Sequence, residues 1–150
     1  MGDMKRSGGG NMESVKCVIV VDRDLPMGLK ANAAAALALS LGSRVGEDLI
    51  GPDTADRDGR RHPGITRIGL PILEAPAEAV KEIYEAVPAT PEAPLRAIGF
   101  SALAQSCRDY GDYEARMGRT PSEELRYSGV CLYGPPREVA RLTGSLRMLR

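Results

Sequence analysis

Cys17-Val18-Ile19-Val20-Val21, running into Asp22-Arg23-Asp24-Leu25-Pro26-Met27-Gly28, decides the fold. The first five residues are a continuous β-branched run, apolar toward both faces, which predicts a central buried strand rather than an edge one. Asp22 to Met27 breaks that pattern and places Pro26 where a helix begins. An Ala/Leu stretch from about Gly28 to Leu41 predicts the helix itself, with Gly42 as its C′ residue. Ala33, Ala34, Ala35, Ala36 and Ala38 make it thin, suited to lie close against a sheet and to be mostly buried.

Outward from this unit, strands and helices alternate. Residues 43–66 are rich in Gly, Pro and Asp and predict a long loop or irregular hairpin, a length that suggests a role in compact domains. Ile68, Leu70 and Ile72 alternate with Gly69 and Pro71 as a second strand. Pro71 cannot donate to a ladder, so that strand starts late, bulges or has a free side there. In PAEAVKEIYEAV, Val80, Ile83, Tyr84 and Val87 share one face of an amphipathic helix. After the Pro-rich connector 88–94, Leu95 to Leu103 is a third strand, with Ile98 and Phe100 opposite Ala97, Gly99 and Ser101. CRDYGDYEARMG reads as helical. Thr120-Pro121-Ser122-Glu123 fits a capping box for a short helix, followed by a fourth strand near Ser128 to Tyr133. Gly134-Pro135-Pro136 turns into a last helix bearing Val139, Leu142 and Leu146. The alternation predicts one α/β domain over residues 15–150, with 1–14 as a Gly-rich flexible tail in which Met4 and Met12 are alternative starts.

Composition narrows the function classes. The 150 residues carry 20 basic and 20 acidic groups, so the chain lacks the basic excess of a nucleic-acid binder. With no Trp and one Phe, a base-stacking platform for single strands is also disfavoured. Three cysteines (Cys17, Cys107 and Cys131) without a C-x-x-C pair argue against a disulfide framework or zinc site and suit a reducing cytoplasm. No apolar run reaches the ~18–20 residues that span a bilayer, and the opening lacks the hydrophobic region of a secretory signal.

Most chemistry-bearing residues have plain structural readings. His62, the only histidine, sits between Arg61 and Pro63 in a loop and reads as solvated. Cys131, inside a predicted strand, reads as a small hydrophobe, and nothing near Cys107 marks a base. Asp53, Asp56 and Asp58 before Gly59 miss the calcium-loop spacing and fit turn chemistry. No metal site or cofactor is expected. Arg137, Arg141, Arg147 and Arg150 against Glu138 read as a solvated helix face.

The junction DRDLPMGLKAN is the exception. The first helix of an α/β unit aims free N–H groups at the carboxyl edge of the sheet, where an anion is favoured. Lys30 adds a charge there and Asn32 an amide. There is no G-x-G-x-x-G or Walker pattern. The ligand is expected between the turn Asp24–Gly28 and Arg119–Thr120, with the candidate set Asp24, Gly28, Lys30, Asn32, Arg119 and Thr120. The loop at 47–65 is long enough to fold over this opening.

KCVIVVDRDLPMG followed by Ala33-Ala34 resembles the opening of type II peptidyl-tRNA hydrolases. Gly134-Pro135 into a helix with Leu142-Thr143-Gly144-Ser145-Leu146 resembles their end. Together with the strand and helix at 68–87, about half the chain carries this likeness. Leu49-Ile50-Gly51, Asp56, Asp58, Gly59 and Leu70-Pro71-Ile72 resemble more closely a bacterial family of unknown function that shares the hydrolase fold. The resemblance implies a small mixed four-stranded sheet flanked by helices on both faces, and it allows a homodimer. Departures limit what it implies about activity. The hydrolase lysines fall on Leu29 and Ala31, with Lys30 between them. The family histidine falls on Ala38, its Asp before Gly118-Arg119-Thr120 on Arg116, and a later Thr on Gly129. The expectation is a binding protein for a small anionic ligand without hydrolase activity, with tRNA disfavoured as a partner. The alternative is a hydrolase of peptidyl-tRNA, or of another ester or amide, with a rearranged site.

Overall fold

The computed structural model describes residues 15–150; the tail reading of residues 1–14 lies outside them. Strand β1 (Lys16–Asp22) is buried from Cys17 to its end, as a run apolar on both faces requires. It lies between β6 (Tyr127–Gly134), antiparallel to it, and β4 (Ile72–Ala75), parallel to it. The sheet has five strands in the order β5-β6-β1-β4-β7, with β5 (Arg96–Ser101) and β7 (Arg147–Met148) at its edges.

The expected count of four strands is therefore corrected by β7, which pairs antiparallel with β4 through Leu73↔Met148 and Glu74↔Arg147. Two exposed residues carry no periodicity, so this strand exists because β4 offers it an edge. Arg147 thus leaves the helix face on which the sequence reading put it. The second strand starts after Pro71, at Ile72, and the Ile19 N–H donates to the Pro71 carbonyl at 3.0 Å. Proline's missing donor is placed where no ladder bond is asked of it.

Helices cover both faces. Helix α1 (Met27–Val45) packs Ala33, Ala34, Leu37 and Leu41 on Cys17, Ile19 and Val21. Gly129 of β6 makes the close approach possible, since a Cβ there would stand 3.0 Å from Leu37 Cδ1. The opposite face buries Val18, Val20, Val130 and Leu132 under α2 (Ala77–Glu85) and α5 (Pro136–Thr143), which contribute Val80, Ile83 and Val139. The alternation of Val18 and Val20 with Ile19 and Val21 thus serves two cores at once.

Three expectations change. Helix α1 runs through Gly42 to Val45, which packs on the core, and stops at Gly46, whose φ of 82° is the left-handed value glycine permits. It buries one stripe rather than most of its surface, and Leu39 is 81% exposed. The capping box at Thr120 is absent. The Thr120 hydroxyl donates back to the Arg116 carbonyl at 2.7 Å, closing α4 (Tyr110–Gly118), and Ser122–Glu124 form only a 3-10 turn. Asp109 caps α4 by accepting the Asp112 N–H at 2.8 Å.

Candidate functional site

Strands β1, β4 and β5 all end at one edge of the sheet, where antiparallel β6 begins and α1 starts. Such an edge gathers side chains from several elements around unpaired helix amides. Asp22 closes β1 there with 1% of its surface exposed. Its Oδ1 accepts the Asp24 N–H at 3.0 Å and its Oδ2 accepts from Arg126 at 3.1 Å. The partner that restrains this carboxylate is Arg126 rather than the neighbouring Arg23. The first residue of the candidate set, Asp24, is thereby held in a tight turn that delivers the chain to Pro26.

The Lys30 side chain turns away from α1 toward β4, where its Nζ stands 3.9 Å from Glu74 Oε2. Glu74 Oε1 is 3.9 Å from Arg147. Only 11% of the Lys30 side chain and 20% of that of Glu74 are exposed, against 80% for Arg147. Beyond them a cavity of about 320 Å³ is lined by Arg23, Glu74, Pro76, Ser145 and Arg147. Pro76 is also the N-cap of α2, with no side chain capping the helix.

Asn32 faces the other way. Gln105, which ends the short helix α3 (Ala102–Gln105) after β5, donates its amide to the Leu29 carbonyl at 3.0 Å and to Asn32 Oδ1 at 3.2 Å. Its Oε1 accepts from the buried Ser128 hydroxyl at 2.7 Å. Gln105 therefore pins α3, α1 and β6 together, and Asn32 serves that network. At Gly28 a Cβ would meet nothing within 4 Å, so the space before the first turn of α1 is open. Thr120 and Arg119 belong to the end of α4, where the Arg119 N–H donates to the Arg116 carbonyl at 3.3 Å. Among the described residues, no hydrogen bond or ion pair joins them to residues 24–32.

Glu74, Arg147, Gln105 and Arg126 were not singled out as site residues from the sequence. An acidic residue inside the short apolar strand Ile72-Leu73-Glu74-Ala75 was the available signal for the first. The hairpin was misplaced as well. Because β4 is parallel to β1, α1 returns the chain to the opposite edge before residues 46–71, which then re-enter the sheet from there. The hairpin of β2 (Thr54–Ala55) and β3 (Arg61–His62) extends from that far edge, with residues 52–63 all exposed. It does not cover the carboxyl edge.

The hairpin aspartates make turns, as their spacing suggested. Asp56 Oδ1 accepts from the Asp58 and Arg60 N–H groups at 3.0 Å each, and Oδ2 lies 2.9 Å from His62 Nε2. Bonding to His62, then to the Arg60 amide, holds the Asp56 carboxyl below the usual carboxylate range. Burial pushes the Cys131 thiol up to about 12, in keeping with a core residue. Among the described residues, no three His, Cys, Asp or Glu side chains gather to hold a metal ion. No described helix is long and apolar enough to cross a membrane.

Residues 15–150 match the model of a protein family described as "Protein of unknown function (DUF2000)". No curated protein matches the chain. Its structure is similar to that of the Agrobacterium tumefaciens protein of unknown function Atu0240, with a TM-score of 0.78 at 14% identity, covering 91% of this chain and 98% of that one. At that identity the likeness concerns the fold alone.

Proposed function

The chain belongs to the DUF2000 family, and from that premise we propose that it binds a small anionic ligand, through a carboxylate or phosphate group, at the cluster of Lys30, Glu74 and Arg147. The observation that carries this reading is the state of Lys30. An ammonium has three N–H donors and is costly to bury without acceptors. Here the Lys30 side chain is 89% enclosed and its nearest carboxylate oxygen is 3.9 Å away, beyond hydrogen-bond distance. Its Nζ therefore keeps its donors toward the small opening that remains, no buried side-chain nitrogen among the described residues being left without a partner. Arg147 stands equally far from the second oxygen. Two cations thus share one carboxylate loosely, and Arg23 adds a third at the cavity wall. An incoming oxyanion would take the place of solvent on that ammonium, and the open amide at Gly28 favours it further.

The cavity volume suits a small molecule. The lid assigned to residues 47–65 is not part of this reading, and Arg119 and Thr120 keep a role only if α4 moves toward α1 on binding. We also keep the type II peptidyl-tRNA hydrolase-like fold as our reading, on the strength of the strand-Met27-Gly28-helix opening and the Gly134-Pro135 turn. Homodimerisation and a cytoplasmic setting belong to the same proposal.

Titrating inorganic phosphate and citrate against the wild type and Lys30→Ala, by thermal shift and calorimetry, tests the site. Phosphate at one hundred times its Kd should stabilise the wild type by about 2.7 kcal/mol and leave Lys30→Ala unmoved. Equal responses in both proteins overturn the proposal. The convergence of Lys30 and Arg147 favours one second reading, a hydrolase of peptidyl-tRNA or another ester or amide. Turnover abolished by Lys30→Ala would establish it, and we expect none.

A further inference from the structure

A second opening, independent of the carboxyl edge, runs beside β5. Ala97, Ile98, Gly99 and Phe100 all line one cavity of about 490 Å³. Successive side chains of a strand point to opposite faces, so four consecutive residues meet one space only where it follows the strand's edge. β5 is bonded to β6 on one side and to no strand on the other. Alternate residues of such an edge turn their N–H and C=O groups outward. The cavity floor therefore offers main-chain donors and acceptors in a line.

Its walls are aromatic. Tyr84 of α2, Phe100, and Tyr110 and Tyr113 of α4 border it, four of the six aromatic residues in the sequence. Tyr84 and Phe100 also pack against the two cores, whereas Tyr110 and Tyr113 belong to neither. Tyr110 is 71% exposed and holds its ring 5.3 Å from that of Tyr113. Tyr84 lies directly over the β5 backbone, because a Cβ on Gly99 would come within 2.9 Å of its ring. Beyond Phe100, Ala104 and Cys107 also border the groove. Toward the other end Ser40 and Arg44, one turn apart on α1, border the space. Asp109 lies there too, but one of its oxygens is engaged in capping α4.

We infer that this edge cavity binds a planar nitrogen heteroaromatic of nucleobase size that carries an anionic group. The ring edge, with neighbouring donors and acceptors, pairs with the β5 main chain. Its faces rest on Tyr84 and Tyr113, and the anionic group reaches Arg44. The volume lies in the range of small-molecule sites, which favours this compact ligand over a peptide strand.

The sequence has no Trp, and three of its five tyrosines line the cavity, so intrinsic tyrosine fluorescence reports on it. We would titrate AMP, GMP, CMP and UMP, with adenosine as the uncharged control, and confirm binding by calorimetry. At least one nucleotide should quench saturably. Tyr113→Leu should weaken it roughly tenfold, the loss of one stacking face. Arg44→Ala, an exposed position whose change leaves the fold intact, should weaken AMP while sparing adenosine. Tyrosine quenching should persist in Lys30→Ala, so that phosphate taken up at the carboxyl-edge cluster, seen by calorimetry alone, is told apart from this site. Absence of saturable binding by all four nucleotides, or binding lost in Lys30→Ala and kept in Tyr113→Leu and Arg44→Ala, overturns the inference. So does a synthetic β-strand peptide that shifts the β5 amide resonances when no nucleotide does.

Discussion

Lys30 of α1 and Glu74 of β4 stand 3.9 Å apart at the end of the sheet, both largely enclosed, with no hydrogen bond between them. The pair exists because β1 and β4 are parallel and in register at Val21↔Glu74. That register brings the last turn of β4 beneath the first turn of the helix that follows β1. Glu74 balances charge there at a distance beyond hydrogen bonding, the feature on which the proposed anion site rests.

Removing that balance should sharpen anion binding. Glu74→Gln keeps the shape of the side chain and deletes the one carboxylate shared by Lys30 and Arg147. We expect phosphate to bind about tenfold more tightly, since a competing charge at this distance is removed. Stability should fall by about 1 kcal/mol, because Arg147 is well solvated and its share is small. Calorimetric titration and urea unfolding read the two effects separately.

Gly99 has no room for a methyl group. A Cβ there would stand 2.8 Å from Tyr127 Cε1 and 2.9 Å from Tyr84 Cε2. Gly99→Ala should cost about 1–3 kcal/mol through overpacking. Combined with Tyr84→Ala, the cost should be less than the sum of the two single changes, because removing that ring clears one of the two crowded contacts and lets Tyr127 give way. A double-mutant cycle in urea measures the difference.

The hairpin should loosen in acid ahead of the core. Asp56 is held below its ordinary value of 3.8 by His62 and the Arg60 amide. A lowered folded pKa means the ionised form is the one the fold prefers. Its contribution is therefore complete above the unfolded value and is lost as pH falls through the folded one. The amide signals of Asp58 and Arg60 should report this below pH 4, while those of β1 remain unchanged. Asp56→Asn should remove the pH dependence.

In alkali the order reverses. Burial pushes Cys131 to about 12 from 9.0, and Tyr127 to about 12 from 10.0. Raised values mean that the neutral forms are favoured in the fold, so stability is intact below the unfolded values and declines as pH rises toward 12. Unfolding in urea at pH 8 and pH 11 checks the direction. At pH 8, alkylation should reach half-buried Cys107 first and buried Cys17 and Cys131 only on unfolding.

The sequence made β1 legible because Val18 to Val21 are apolar at both parities, and no surface strand tolerates that. The face of α2 was legible from Val80 and Ile83, spaced for one stripe. Arg147 was misread because a two-residue strand has no period of its own and takes its identity from β4. Lys30 and Asn32 were singled out because a helix start after a strand has a known chemistry. Their partners Glu74 and Gln105 were not, since pairings between distant segments depend on strand register and on where α3 docks. The end of α1 was missed because Gly42 is a plausible stop whose helix continues only to bury Val45.

The hairpin of β2 and β3 leaves and re-enters at touching points: Ile50 bridges Thr66, and the Gly51 N–H donates to the Ile65 carbonyl at 2.8 Å. A segment whose feet already meet imposes almost no closure entropy when it is shortened or lengthened. The arm is therefore a graft point. Trimmed to a tight turn or extended with foreign sequence, it should leave both cavities as they are, because both lie elsewhere on the sheet. Separate from the two openings in space, it is free to change at its own pace, and its length is the dimension along which relatives of this chain can differ most cheaply.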